Sequence, residues 1–170
     1  MAGLEDLYRE IILDHYRSPR NRGELTVPPA HRVEGFNPLC GDEVVVFLEV
    51  EDGSVADLRI AGQGCSISQS SASMMSAAVK GRPVEEARRL IRSFKAMMSI
   101  HEQSLGGDED GDGAAADQAE VEIVSPDDLG ELAALQGVVK FPVRIKCATL
   151  SWNALAQGLD EIAAGVPSAG

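Results

Sequence analysis

The chain has no run of about eighteen apolar residues, so nothing in it is expected to span a membrane. Its opening, MAGLEDLYREII, is acidic and amphipathic and lacks the basic n-region and apolar core of a secretory signal. A cytoplasmic protein is therefore expected. Cysteine is scarce: Cys40, Cys65 and Cys147 are the only three, and no two of them form a C-x-x-C pair. Three thiols cannot all pair within one chain, and cytosol keeps thiols reduced, so a disulfide framework is a poor account of them. Metal binding, thiol chemistry and simple burial stay open. The H-x-E and P-C-x-x-C elements of a zinc deaminase are also missing.

Basic residues are absent from one long stretch. Between Glu102 and Glu131 there are eleven acidic residues and no Lys or Arg, whereas the rest of the chain carries sixteen acidic and fifteen basic residues. The net charge of −12 thus resides almost wholly in one segment. A nearly neutral body with an acidic insertion argues against nucleic acid as a partner. The length of 170 residues suits a single domain with its own core. That domain is expected over residues 1–165, with an acidic inserted loop at about 102–127 and a tail over 166–170.

Local patterns divide the domain. Leu4, Leu7, Tyr8, Ile11, Ile12 and His15 share one helical face, and the helix should stop before Pro19. HRVEGF reads as a short strand and the Val-rich stretch from Glu43 to Glu51 as a second. Asp52-Gly53 is a hairpin signal, and residues 55–61 return as a third strand, with Val55, Asp57, Arg59 and Ala61 on one face. The glycines of GQGC imply tight backbone geometry at its end. A small-residue helix is expected over 66–80, and another begins at Pro83 with Val84, Ala87, Ile91, Phe94 and Met98 inward. HEQSLGGDEDGDGAAADQ is expected to be loop. Ser125 and Pro126 then look like an N-cap and N1, with Leu129, Leu132 and Leu135 facing inward. A last helix carries Trp152, Leu155, Leu159 and Ile162. Strands and helices are segregated, so the expected class is α+β: a small antiparallel three-stranded sheet packed against several helices.

The chemistry-bearing residues follow from this layout. Cys40 and Asp42 are two apart, which in extended chain places them on one face, and Gly41 between them permits close approach. Cys65 stands where a strand meets a helix N-terminus, a position that favours thiolate. Cys147 falls in or near the start of the last helix. Three thiols and one carboxylate match a tetrahedral zinc site in number and type. Four such ligands would leave a net charge of −2 on Zn²⁺, and Arg144 and Lys146 are the nearby cations. A filled tetrahedron has no open position for water, which tells against a zinc hydrolase. The alternative is three buried cysteines that bind nothing.

Four longer stretches carry a resemblance. LYREIILDHYRSPRNRG, NPLCGDEV, GQGCSISQSSASMM and FPVRIKCATLSW resemble the SufU branch of the IscU/NifU-N family, whose members serve iron–sulfur cluster biogenesis. The resemblance runs from Leu4 to about Leu159. It implies the same α+β fold and equates the family's three cysteines with Cys40, Cys65 and Cys147 and its metal-site aspartate with Asp42. IscU-type scaffolds carry a histidine where this chain has Lys146, and this chain has an extended segment between Cys65 and Cys147. Both departures favour the SufU branch. The implied cofactor is Zn²⁺, the alternative being iron or a transient 2Fe–2S cluster. The implied activity is sulfur transfer as the partner of a SufS-type PLP-dependent cysteine desulfurase, not as a stand-alone enzyme. Downstream Suf cluster-assembly proteins would receive the product. By this resemblance Cys40 is the expected sulfur acceptor and Arg144 its candidate support, whereas an IscU-like reading chooses Cys147. The first helix and Arg17, Arg20 and Arg22 are candidate docking elements.

Other signals carry less. Asp108, Asp110, Asp112 and Gly113 match the start of an EF-hand loop, but its twelfth position is Ala119 where a bidentate Glu is required. His15 lies on an apolar helix face and reads as a packed histidine. Met74, Met75, Met97, Met98 and Trp152 read as core.

Overall fold

The computed structural model describes residues 4–27, 29–106 and 129–165. Helix α1 spans Leu4–Arg17, as its apolar spacing and Pro19 require. Strands β1 (His31–Asn37), β2 (Asp42–Glu51) and β3 (Ser54–Gln63) form one antiparallel meander in the order β1-β2-β3. Helices α2 (Ser66–Val79) and α3 (Val84–Gly106) follow, then a 3-10 helix (Gly130–Lys140) and the last helix, α4 (Pro142–Ala163). This is the expected α+β class. The calcium-like motif, the Ser125–Pro126 helix start and most of the acidic insertion lie outside the described residues. Helix α3 takes in the first residues of the stretch expected to be loop, because it continues to Gly106.

Asp52 and Gly53 close the β2–β3 hairpin at φ 52° and 76°, the positive values a type I′ turn needs. One expectation for β3 fails. The pairing steps from Glu49↔Asp57 to Val50↔Val55, so Ala56 is an extra residue on β3. Such a bulge reverses the alternation on its far side. Val55 therefore joins Leu58 and Ile60 as buried, while Asp57, Arg59 and Ala61 are only partly covered.

Val33, Val44, Val46 and Leu48, with Val55, Leu58 and Ile60 of β3, supply the sheet's share of the core, and α4 packs on β1 and β2. Gly158 lets α4 come close, since a Cβ there would stand 2.9 Å from the Val33 side chain. Trp152 is buried and stacks on Phe94 with ring centroids 4.4 Å apart. Its indole Nε1–H donates to Ser71 Oγ at 3.1 Å, and that hydroxyl donates to the Ala148 carbonyl at 2.6 Å. Ser71 thereby fixes α2 against α4 one residue after Cys147. Ser68, Ser70, Ser71, Ser73 and Ser76 are all buried on α2, whose small side chains permit this close packing. Leu129, Leu132 and Leu135 face inward as expected.

Candidate metal centre

The β1–β2 hairpin ends at the pair Asn37↔Asp42, and Cys40 sits in the turn between them. Two features shape that turn. Asn37 Oδ1 accepts the Leu39 N–H at 3.2 Å, and the Asn37 carbonyl accepts the Gly41 N–H at 2.9 Å. Gly41 has φ +70°, which an L side chain rarely adopts. The result holds Cys40 half-exposed on the rim while Asp42, two residues on, is fully buried.

Cys65 caps α2. Its Sγ accepts the Ser68 N–H at 3.4 Å, so the expected helix N-terminal thiol is found. Its own N–H donates to Asp42 Oδ1 at 2.8 Å, and its Sγ lies 3.8 Å from Asp42 Oδ2. The GQGC glycines make this approach feasible: a Cβ on Gly64 would stand 2.6 Å from Asp42 Oδ1, inside contact distance. Cys147, in the second turn of α4, is fully buried and points back at the hairpin. Its Sγ is 3.2 Å from Cys40 Sγ and accepts a hydrogen bond from Asn37 Nδ2 at 3.6 Å.

Ligand atoms of Cys40, Asp42 and Cys147 all lie within 4.8 Å of one another. The edges of a tetrahedron built on zinc–ligand bonds of about 2.0–2.3 Å are roughly 3.3–3.8 Å, so a modest contraction would bring these atoms onto one ion. Cys65, the fourth expected ligand, lies outside this group and touches it only at Asp42, whose Oδ2 is 3.8 Å from its Sγ. The donor set fits a thiophilic cation. A fully buried carboxylate and a fully buried thiol share one spot, an arrangement that is costly for their charged forms without a compensating positive charge. Burial first, then hydrogen bonding with Asp42 and Cys40, pushes the Cys147 thiol far above its ordinary value. Arg144, exposed on the first turn of α4, sits in the field of Cys65 and, less strongly, Cys147, both of which raise its pKa. Arg144 thus lies within electrostatic reach of Cys65 and Cys147, and Lys146 is exposed.

The other candidates are used elsewhere. His15 is buried and bonds Ser73 Oγ and Glu131 Oε1, both at 2.8 Å, so it packs as expected. Arg20 is held by Asp14 at 2.6 Å, and Arg22 reaches Gln69 and the Gly62 carbonyl. These arginines pin the N-terminal segment. Sequence reasoning missed Asn37, and it read the GQGC glycines as tight backbone without seeing that Gly64 makes room for Asp42. Their signal is cross-strand register and backbone proximity, which spacing along the chain does not display. Around the centre, Leu39, Phe141 and Val143 are exposed apolar side chains. Beside Arg144 a groove of ≈ 970 Å³ runs between α1, the start of α2, the 3-10 helix and α4.

A hairpin tip and two helix starts that gather thiols and a carboxylate define a small α+β protein with a soft-metal centre. The family model of the NifU-like N terminal domain matches residues 7–164, and the chain belongs to that family. It is 42% identical over 158 residues to the zinc-dependent sulfurtransferase SufU of Bacillus subtilis, covering 93% of this chain and 92% of that protein. It is 35% identical over 159 residues to the iron–sulfur cluster assembly scaffold protein IscU of Streptococcus pyogenes, covering 94% of this chain and 86% of that one. Among solved structures it is similar to the putative iron–sulfur cluster assembly scaffold protein for the SUF system of Fervidobacterium islandicum. The TM-score there is 0.71 at 27% identity, over 92% of this chain and 99% of that chain.

Proposed function

We propose that this protein is a zinc-dependent sulfur acceptor in iron–sulfur cluster biogenesis, taking persulfide sulfur from a SufS-type cysteine desulfurase in the cytoplasm. The observation that carries the reading is the unequal pair of thiols. Cys40 is half-exposed on a turn, and Cys147 is buried 3.2 Å behind it, beside a buried carboxylate. The similarity to a zinc-dependent sulfurtransferase over nearly the whole chain supports it. Cys40, Asp42, Cys65 and Cys147 would hold the zinc, which when bound keeps its thiol ligands deprotonated.

The chain's own residues then perform a thiol exchange. The Cys40 thiolate attacks the outer sulfur of the desulfurase persulfide. A new sulfur–sulfur bond forms at Cys40, the bond to the partner's cysteine breaks, and that cysteine leaves as thiolate. Cys40 is the accessible nucleophile, and Arg144 offers positive charge beside the thiols. The exposed Leu39, Phe141 and Val143 suit a protein surface that docks over the centre. Downstream Suf cluster-assembly proteins would receive the sulfur. The test is a Cys40→Ala variant incubated with desulfurase and cysteine. Loss of stimulated sulfide production is expected, and stimulation equal to wild type sinks Cys40 as acceptor.

A second reading, a scaffold for a transient 2Fe–2S cluster on the same ligands, is favoured by the similarity to IscU scaffolds. Cysteine ligation suits both metals. Metal analysis of aerobically purified protein separates them: colourless with one zinc for the acceptor, brown with labile iron and sulfide for the scaffold.

A further inference from the structure

One buried polar side chain at the centre takes no part in the ligand set. Asn37 is 5% exposed and stands directly across the hairpin from Asp42. Residues directly opposite in an antiparallel pair project to the same face. The two closing residues of the hairpin therefore reach the two remote cysteines: Asp42 accepts from the Cys65 N–H, and Asn37 Nδ2 donates to Cys147 Sγ. The other end of the same amide caps the Leu39 N–H and so shapes the turn that carries Cys40. One side chain touches both members of the 3.2 Å sulfur pair, directly for Cys147 and through the turn for Cys40.

We propose that Asn37 is a positioning residue that makes the two neighbouring sulfurs unequal, holding Cys147 as an anchored ligand and leaving Cys40 the reactive one. An N–H donor directed at a ligand sulfur occupies lone-pair density that would otherwise serve attack on an electrophile or donation to a metal. Cys147 has such a donor from a buried side chain; Cys40 sits half-exposed on the rim. The assignment rests on the sulfur-acceptor reading above for its functional meaning, but the hydrogen bond itself can be tested apart from it.

Asn37→Ser separates the two jobs of the amide. A serine hydroxyl can still accept the Leu39 N–H in the manner of an ST-turn. It is too short to reach Cys147. The first readout is the sulfur-to-metal charge-transfer absorption of the full chain loaded with cobalt(II). Losing the N–H donor raises the energy of the sulfur lone pair, so the band moves to lower energy. A purely turn-forming Asn37 leaves it in place. The second readout maps persulfide after incubation with desulfurase and cysteine, by alkylation and peptide mass spectrometry. Cys147's share relative to Cys40 is expected to rise about tenfold, the factor that corresponds to one hydrogen bond to a charged sulfur. An unmoved band, or an unchanged Cys147-to-Cys40 ratio, overturns the proposal. If the wild-type chain acquires no persulfide, the sulfur-acceptor reading fails. The same tenfold criterion is then applied to iodoacetamide labelling of the two cysteines, which still decides for or against Asn37.

Discussion

Two polar constellations touch α2, one at its middle and one at its N-terminus, and they could hardly differ more in completion. In the first, His15 bridges Ser73 and Glu131, and Ser73 Oγ also accepts the Arg20 N–H at 2.8 Å. One arrangement satisfies every group: His15 Nε2–H donates to Glu131, Ser73 O–H donates to His15 Nδ1, and the Arg20 N–H donates to Ser73. In the second, Cys40, Asp42, Cys65 and Cys147 bring mainly acceptors together, with the Cys65 and Ser68 N–H groups and the Asn37 amide as donors. A network that closes on itself is a clamp. A cluster of thiols around a buried carboxylate offers the donor set that a thiophilic cation takes. The contrast separates a histidine whose partners are met within the fold from a thiol that is one of a candidate ligand set, although both are buried.

The contrast breaks most sharply at Asp42. Asp42→Asn keeps an oxygen for the Cys65 N–H but removes the charge. Zinc affinity is expected to fall by roughly 10²–10³-fold, since the about 10–16 kcal/mol of a structural zinc site is shared among four ligands. The metal-free protein should melt no lower than wild type, because a buried charge has gone. Competition against a chromogenic chelator reads the first effect and a thermal melt with chelator the second. A metal-free Asp42→Asn protein that melts well below wild type would make Asp42 a structural residue like His15.

Acid should act on the same end of the molecule. Burial and its acidic neighbours raise the Cys147 pKa, so the metal-free centre holds that proton throughout the range below the ordinary thiol value of 9.0. Zinc must displace it. Lowering pH favours the protonated, metal-free form, so affinity falls as pH falls, by about tenfold per pH unit for each thiol proton released. With two or more thiols involved, the drop between pH 7.5 and 6.5 is expected to reach about a hundredfold. A pH-independent affinity would mean that the thiols are not the ligands.

His15→Ala probes the closed network. It leaves Ser73 and Glu131 with one partner fewer and opens a cavity, at a cost of about 2–3 kcal/mol. The melting temperature should drop by roughly 5–10 °C, by the same amount with and without zinc. A drop confined to the zinc-loaded form would join the two constellations into one.

Much of this division was legible in the chain. Cys40-Gly41-Asp42 and Cys65 at a helix start announced themselves by residue type and by local geometry that follows from spacing of one or two residues. Two helix limits followed from Pro19 and Pro83, whose rings leave little choice; the start of α4 at Pro142 did not. What did not show was everything that depends on register. Asn37 before Pro38 reads as an ordinary turn residue until its pairing with Asp42 turns it toward Cys147. The extra residue at Ala56 reversed the face of Val55, because a bulge changes parity without changing composition. Glu131 belonged, by sequence, to an acidic solvated stretch. Its contact with His15 is made across 116 residues and has no local trace.

The smallest expected effect separates two sets of arginines. Arg20 and Arg22 were docking candidates on charge alone, yet both are spent within the fold, on Asp14 and on Gln69 with the Gly62 carbonyl. Arg144 is exposed, and its strongest electrostatic neighbour is Cys65. An exposed cation is screened by water and salt, so Arg144→Gln should weaken zinc binding no more than about tenfold, and less as ionic strength rises past a Debye length of about 8 Å. Its larger consequence should fall on the rate of sulfur acceptance, where negative charge moves between two sulfurs beside it. Desulfurase stimulation measured at low and at high salt reads this directly. A decline in rate that exceeds the decline in zinc affinity places Arg144 with the reacting thiols. Equal declines make it one more charge that holds the metal.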